Sequence, residues 1–549
     1  MIHKKYILLS ACVVWVLSVT AQLQAQTKWI DASASLGLSS DMYSQSGGQP
    51  TTMPSSVQRA TLRASVVLLE QIELPFEAYI TNTQAGYNQP FNQFGINPRF
   101  GSWLTLHAGY FSMRMSDFTF GDARLLGGGA ELTPKNFRFG VFYGYSREAR
   151  NPDIPNFFVG EYKRRVMGMK MGYGDESGGS LSLNILHAQD DSTSIKRDSL
   201  TPTPQENLVT SLSFTIPMFE NVIRLTGEVA AGAFTNNTQA QLIDSANRIE
   251  IQESLYNANI STQVDGAAKV GLMITPSNTW NVRFDAQWIG PGYVTLGYVQ
   301  LQNDALDLTV TPSLRLFESK VFIRASIGRR TNNLRNTRLA STDRTIGSLN
   351  TSIQFTDQIG LDAMYSNFGM RSSHRNDTIR VENISQMYSF TPRANFQAFG
   401  GTNALSLTAT FQQSEDKNQF TANATNNTTS SFALVHSLSF TSTLSFATSA
   451  LYNKVLNSSF STGITTLNET IGYSLFERLL SLSGTAGVNF ISSANNSTQF
   501  MGRFSATFDL KAWGSFTAQI MNNNYNFDTV SKQPSYSELQ GSLQYAVSF

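Results

Sequence analysis

Between residues 480 and 490 the chain reads LSLSGTAGVNF and alternates strictly. Leu480, Leu482, Gly484, Ala486, Val488 and Phe490 fall on one side of an extended backbone, with Ser481, Ser483, Thr485, Gly487 and Asn489 on the other. A period of two marks a strand with one apolar and one wet face. The pattern recurs at LVTSLSFTIP (208–217), WNVRFDAQW (280–288) and LSLTATFQ (405–412), and helical spacing is scarce throughout.

The connections are sorted by length. Tight ones fall near 70, 101, 134, 176, 219, 277, 318, 357, 400, 442, 476 and 511, and long polar ones alternate with them, the longest at 235–262. This order predicts about 26 antiparallel strands, or 24 if two of the shorter ones merge. Short turns then gather at one end of the sheet and long loops at the other. A soluble sandwich has no reason to sort its loops in this way. A transmembrane barrel does, and it also shows ~10-residue strands that are apolar outside and polar inside. The expected fold is therefore all-β, a large transmembrane antiparallel β-barrel with no N-terminal plug domain. Backbone groups at membrane depth must pair within the sheet, so the first strand is expected to pair with the last, near Leu539–Phe549. That last strand reads LQGSLQYAVSF and ends in an aromatic residue.

Composition narrows the compartment and the partners. Only 14% of the 549 residues are charged, and the formal net charge is +1, which gives no reason to expect nucleic acid as a partner. His3-Lys4-Lys5 followed by the apolar run Ile7–Val19 predicts a secretory signal peptide over 1–25, cleaved after Ala21 or Ala25. The barrel is then 26–549, in the outer membrane of a Gram-negative cell, with long loops extracellular and both termini periplasmic. The single cysteine, Cys12, lies inside the predicted leader, so thiol chemistry is not expected of the mature chain.

Candidate chemistry is sparse. Of the five histidines, none has the serine two residues away on its strand face that a barrel phospholipase would need. No His or Cys cluster suits a metal. LLGGGAEL (125–132) lacks the Lys of a phosphate loop, so its glycines are read as room for curvature or for close approach by a loop. No catalytic, cofactor-binding or metal-binding residue is predicted, and no cofactor. Strand parity instead predicts lumen-lining charges at Arg59, Arg63, Glu73, Glu77, Arg224, Glu228, Arg283, Asp285 and Arg324. A three-residue turn pairing Leu68 with Ile72 would set Arg63 opposite Glu77. Both signs occur, as expected for a solvated, self-compensating wall rather than a ring of one charge.

The segment QPFNQFGINPRFGSWLTLHAGYFSMRMSDFTFGDARLLGGGAELTPKNFRFGVFYGYSREA (89–149) resembles a recurring block in uncharacterised outer-membrane β-barrel proteins of the Bacteroidota. That resemblance implies compartment and fold, not an activity. Five Asp-Ser/Thr-x triplets resemble the O-glycosylation motif of that phylum, which makes Ser192, Ser199, Ser245, Thr378 and Thr529 candidate glycan sites.

A barrel of 26 strands is roughly 50 Å across at the usual spacing and tilt, too wide for side chains to fill. Its own loops are expected to occupy it, chiefly 235–262 with Ile249, Ile251, Leu255 and Tyr256, or else a lipoprotein or plug partner. The expected function is an outer-membrane transport conduit or porin-like channel for a polar solute, polymer or protein, gated by loops or a partner. The alternative is a structural or assembly component whose barrel is filled by a partner and passes no solute. Enzymatic activity is not expected.

Overall fold

The computed structural model describes residues 29–48, 53–82, 93–121, 123–153, 158–175, 178–197, 201–242, 256, 258–298, 300–373, 376, 378, 380–418, 420–440, 443–493, 496–528 and 533–548. The predicted signal peptide and Phe549 lie outside them. One antiparallel sheet runs through the described residues from Ile30 to Ser548, each strand pairing with its sequence neighbours. Gln93–Ile96 and Arg99–Phe100 form one strand broken at Asn97-Pro98, since both halves pair with Ile72–Thr81 and with Leu104–Met113. Counting them together gives 26 strand positions. The barrel then closes. Ile30–Gly47 pairs with Tyr536–Ser548 in a ladder from Ser35↔Ser548 to Gly47↔Tyr536, leaving no open edge.

Register fixes the shape. Carried straight across the sheet from Leu36, the Cα partners return to the first strand about 26 residues further along, close to one residue per strand. That stagger corresponds to a strand tilt of about 35° and a cylinder about 50 Å across. The turn at 69–71 pairs Leu68 with Ile72 and sets Arg63 directly opposite Glu77.

The short turns stand where the alternation places them. Several repeat one solution: Phe219-Glu220-Asn221, Phe317-Glu318-Ser319 and Phe476-Glu477-Arg478 all have positive φ, a left-handed path that ordinary side chains rarely adopt. Their phenylalanines stay exposed, and with Phe399 and Trp513 they put aromatic side chains on the turns at the short-turn end, as a membrane interface favours. Between the two ends the outer face is apolar and uncovered, with Val264 71% and Ile520 57% exposed. No aqueous surface tolerates such a band at this extent, and lipid is its natural solvent.

Two differences from the sequence reading are local. The long connections expected between the tight turns near 442 and 476 and between those near 476 and 511 span only 458–460 and 493–496, because the flanking strands Leu444–Asn457, Ser461–Leu475, Leu480–Ser492 and Ser497–Asp509 continue pairing. The only α-helix among the described residues is the single turn Ala422–Thr425, and no plug domain stands among them.

Candidate functional site in the lumen

Two connections at the long-loop end turn inward and pack on the lumen wall. The first, 114–121, carries Met115, Phe118 and Phe120; the second, 290–303, carries Tyr293, Val294 and Leu296. Beneath them the wall is unusually apolar for an inner face. Phe142, Val166, Leu186, Ala188, Val209, Ala230 and Ala267 are all buried there in one cluster with the loop side chains. On the same strands Leu181, Leu212 and Val229 point the other way and are exposed.

Hydrogen bonds hold the loops to each other. Tyr293 Oη donates to Phe118 O at 2.6 Å and Thr295 Oγ1 to Thr119 O at 2.6 Å, while Gly121 N donates to Gly297 O at 3.3 Å. Others hold them to the wall. Asn207 Oδ1 accepts from Leu296 N at 3.0 Å, and Asn207 Nδ2 donates to Val294 O at 2.9 Å. Ser116 Oγ lies 3.1 Å from Ser211 Oγ, and Phe118 N donates to Glu228 Oε1 at 3.3 Å. The approach is close enough to require glycine. A Cβ at Gly168 would sit 2.4 Å from the Phe142 ring and 2.8 Å from Met115 Sδ, and one at Gly297 would sit 2.4 Å from Thr119 O.

Charge completes the anchor. Lys269 reaches both Asp117 and buried Glu228, the latter at 3.4 Å, and lies 5.6 Å from the Phe118 ring centroid. Partial burial pushes the Asp117 carboxyl up, but hydrogen bonds from Lys269 and Arg114 outweigh it and hold the group below its ordinary value. Burial pushes the Tyr293 hydroxyl well above its ordinary value, with Glu228 adding to the effect, so it stays a neutral donor. A third connection latches the second loop. Asp265 accepts from Gly292 N at 2.8 Å and from Arg335 at 2.9 Å, and Asp304 accepts from Leu334 N at 2.9 Å and from Arg338 at 3.0 Å.

Beside the inward loops lies a recess of about 940 Å³, lined by Arg114, Asp117, Lys170, Lys269, Arg283 and Arg344 among others. Its lining holds more arginine and lysine than aspartate and glutamate. Elsewhere the lumen's charges are mostly paired, as Arg63 with Glu77 and Arg393 with Asp362, and much of the wall is hydroxylic. Hydroxyls pair across neighbouring strands there, Thr391 with Thr408 at 3.0 Å, Thr470 with Thr485 at 2.9 Å and Thr507 with Thr517 at 3.1 Å. One part of the lumen is thus built up with an excess of cationic side chains, and another is left as a wall of paired hydroxyls.

The charges expected to line the lumen divide between these regions. Arg59 pairs with Asp41, Arg63 with Glu77 at 3.4 Å, and Glu73 with Arg99 at 3.3 Å. Arg224 donates to Asn221 at 3.4 Å, near the short turn. Arg283 pairs with Asp285 at 2.8 Å, and both line the recess. Glu228 is buried under the loops, and Arg324 stands exposed opposite Ser313 and Asn350. His107 also belongs to this inner face, between Asn97 and Glu131 at 2.8 Å each.

The expectation for 235–262 rests mostly on residues that are not described. Its residues 243–255 and 257, with Ile249, Ile251 and Leu255, lie outside the described residues. Tyr256, which is described, bonds Thr235 Oγ1, and Thr235 stands on the outward face of its strand with Val229, away from Glu228. The described lumen contacts belong instead to 114–121 and 290–303. Of the candidate glycan sites, Ser192 and Thr378 lie in described connections, while Ser199, Ser245 and Thr529 lie outside the described residues.

No family model matches the chain, and no curated relative does. Among solved structures it is similar to OccAB2 of Acinetobacter baumannii, at 11% identity over 68% of this chain and 98% of that one, with a TM-score of 0.30. The outer membrane protein opdK of Pseudomonas aeruginosa aligns at 8% identity over 63% and 94%, with a TM-score of 0.31. A mutant of the ferric enterobactin receptor PfeA from the same organism aligns at 10% identity over 94% and 80%, with a TM-score of 0.40. Likeness at this level says nothing of what passes through the barrel.

Proposed function

We propose that the protein is a transport conduit of the Gram-negative outer membrane, passing a polar solute through a lumen narrowed by its own loops. One observation carries this reading: 114–121 and 290–303 are fastened to each other and to the inner wall, while the hydroxyl-lined wall elsewhere is left wet. A barrel that merely scaffolds a complex has no need to build a mixed-charge constriction beside an open polar path. In this reading the long loops face the cell exterior and both termini face the periplasm. Passage is uncatalysed, and the loops set the size limit.

Reconstitution tests it. Proteoliposomes holding the purified barrel should release small polar solutes and swell in isosmotic sugar, with a sharp size cutoff. Vesicles that stay sealed to every small polar solute would contradict the reading and favour a barrel that only scaffolds.

A further inference from the structure

The outer face is apolar nearly everywhere at mid-strand, and one patch breaks it. Glu469 lies on Ser461–Leu475 between Leu467 and Ile471, which are 46% and 47% exposed on the same face. Tyr473 lies beyond Ile471 on one side, and Tyr452 on the neighbouring strand lies toward the long loops, so the carboxylate sits inside the band that the aromatics bracket. Directly across from Glu469 stands Thr448, and directly across from Thr448 stands His436. Thr448 Oγ1 donates to Glu469 Oε2 at 2.5 Å, and His436 Nε2 bonds Asn403 Oδ1 at 2.9 Å. Among the described residues neither Glu469 Oε1 nor His436 Nδ1 has a partner.

An ionisable pair facing hydrocarbon is costly and needs a reason. We propose that this patch is a dimer interface occupied by a second copy of the chain. The argument is complementarity within a single patch. Two barrels related by a two-fold axis along the membrane normal present the same face to each other with left and right exchanged. His436 and Glu469 flank Thr448, one strand to either side, about 10 Å apart. With the strands tilted by about 35°, the two lie about 8 Å apart along the interface and about 6 Å apart in height. An axis in front of Thr448 therefore brings His436 of each copy across from Glu469 of the other at that offset, within reach of the two side chains, and forms the same contact twice. Each contact supplies the imidazole and carboxylate with the partner that lipid cannot offer. Phe432, Leu434, Phe446 and Leu467 share the face and would pack around it.

The inference stands apart from the conduit reading and is tested without measuring flux. Ala450 lies on the same face, two residues from Thr448 and close to the proposed axis. In a Cys12→Ser background, Ala450→Cys should form a disulfide-linked dimer when native membranes are oxidised. Ala518→Cys, on the outer face of Ser515–Phe527, should not. Adding Glu469→Leu to Ala450→Cys should cut the dimer yield about tenfold. Heat-modifiable mobility checks that the barrel has closed, and Glu469→Gln replaces the leucine variant if it has not. No dimer from Ala450→Cys, equal yields from Ala450→Cys and Ala518→Cys, or a yield indifferent to Glu469 would each overturn the proposal.

Discussion

Tyr293 donates its hydroxyl hydrogen to the carbonyl of Phe118 across 2.6 Å, and both residues are buried. That bond joins two connections separated by 175 positions along the chain. Tyr293→Phe should leave a buried carbonyl short of its donor, costing the constriction about 1–3 kcal/mol. Phe120→Ala, which opens a void beside Phe142, should cost about 3–5 kcal/mol. The barrel ladder touches neither change, so global melting should move little. Single-channel recordings should show more frequent excursions to a wider state, in the order wild type, Tyr293→Phe, Phe120→Ala.

The anchor at Asp117 makes the constriction sensitive to acid. Its carboxyl is held below the ordinary value of 3.8, so its stabilising effect is complete above that value and is lost as pH falls through the lower, folded one. Conductance should be flat across neutral pH and become noisy only in strong acid. Asp117→Asn should show the noisy behaviour already at pH 7. A wild-type channel that loosens between pH 6 and 8 would point to a different group.

The recess should favour anions. Its lining carries an excess of arginine and lysine: Arg330 is paired with Asp307, while Arg344, directly opposite Arg330, has no acidic partner among the described residues. The reversal potential in a KCl gradient should show chloride passing more readily than potassium. Arg344→Glu should move the permeability ratio toward unity, while Arg503→Gln, on another part of the inner wall, should alter it less.

Facing is testable by paired substitutions. Ala506 lies on the outer face between Phe504 and Phe508, and Ser505 lies on the inner face opposite Ser483 and Gln519. Ala506→Arg should cost about 2–4 kcal/mol if near the midplane, and Ser505→Arg close to nothing. Equilibrium refolding into lipid from urea measures both. Ala486 is a poorer probe, because Glu469 stands directly across from it and would receive an inserted arginine.

The barrel was legible because its two faces meet different solvents. Alternation in LSLSGTAGVNF placed a strand, and the three-residue turn that best matches the outward faces pairs Leu68 with Ile72, the register observed. The constriction was not legible by the same logic. The segment RMSDFTFGD reads as a polar loop until Met115, Phe118 and Phe120 are matched to apolar residues on the wrong face of distant strands. A signal was present. Gly179–Asp190 is apolar on both faces toward its end, with Leu183 and Ile185 on one and Leu186 and Ala188 on the other, which marks a strand covered on both sides. The loop 235–262 drew attention by its length and its Ile249–Tyr256 run, of which only Tyr256 lies among the described residues.

Single-channel conductance in planar bilayers tests most directly that 114–121 and 290–303 narrow the lumen. The comparison is between the wild-type chain and a variant in which both connections are replaced by short Gly-Ser links, with heat-modifiable mobility confirming that each barrel has closed. The conductance of the variant should rise severalfold, and the preference for chloride should fall as the widened path carries ions further from the cationic lining of the recess. An unchanged conductance in a closed barrel would contradict the claim.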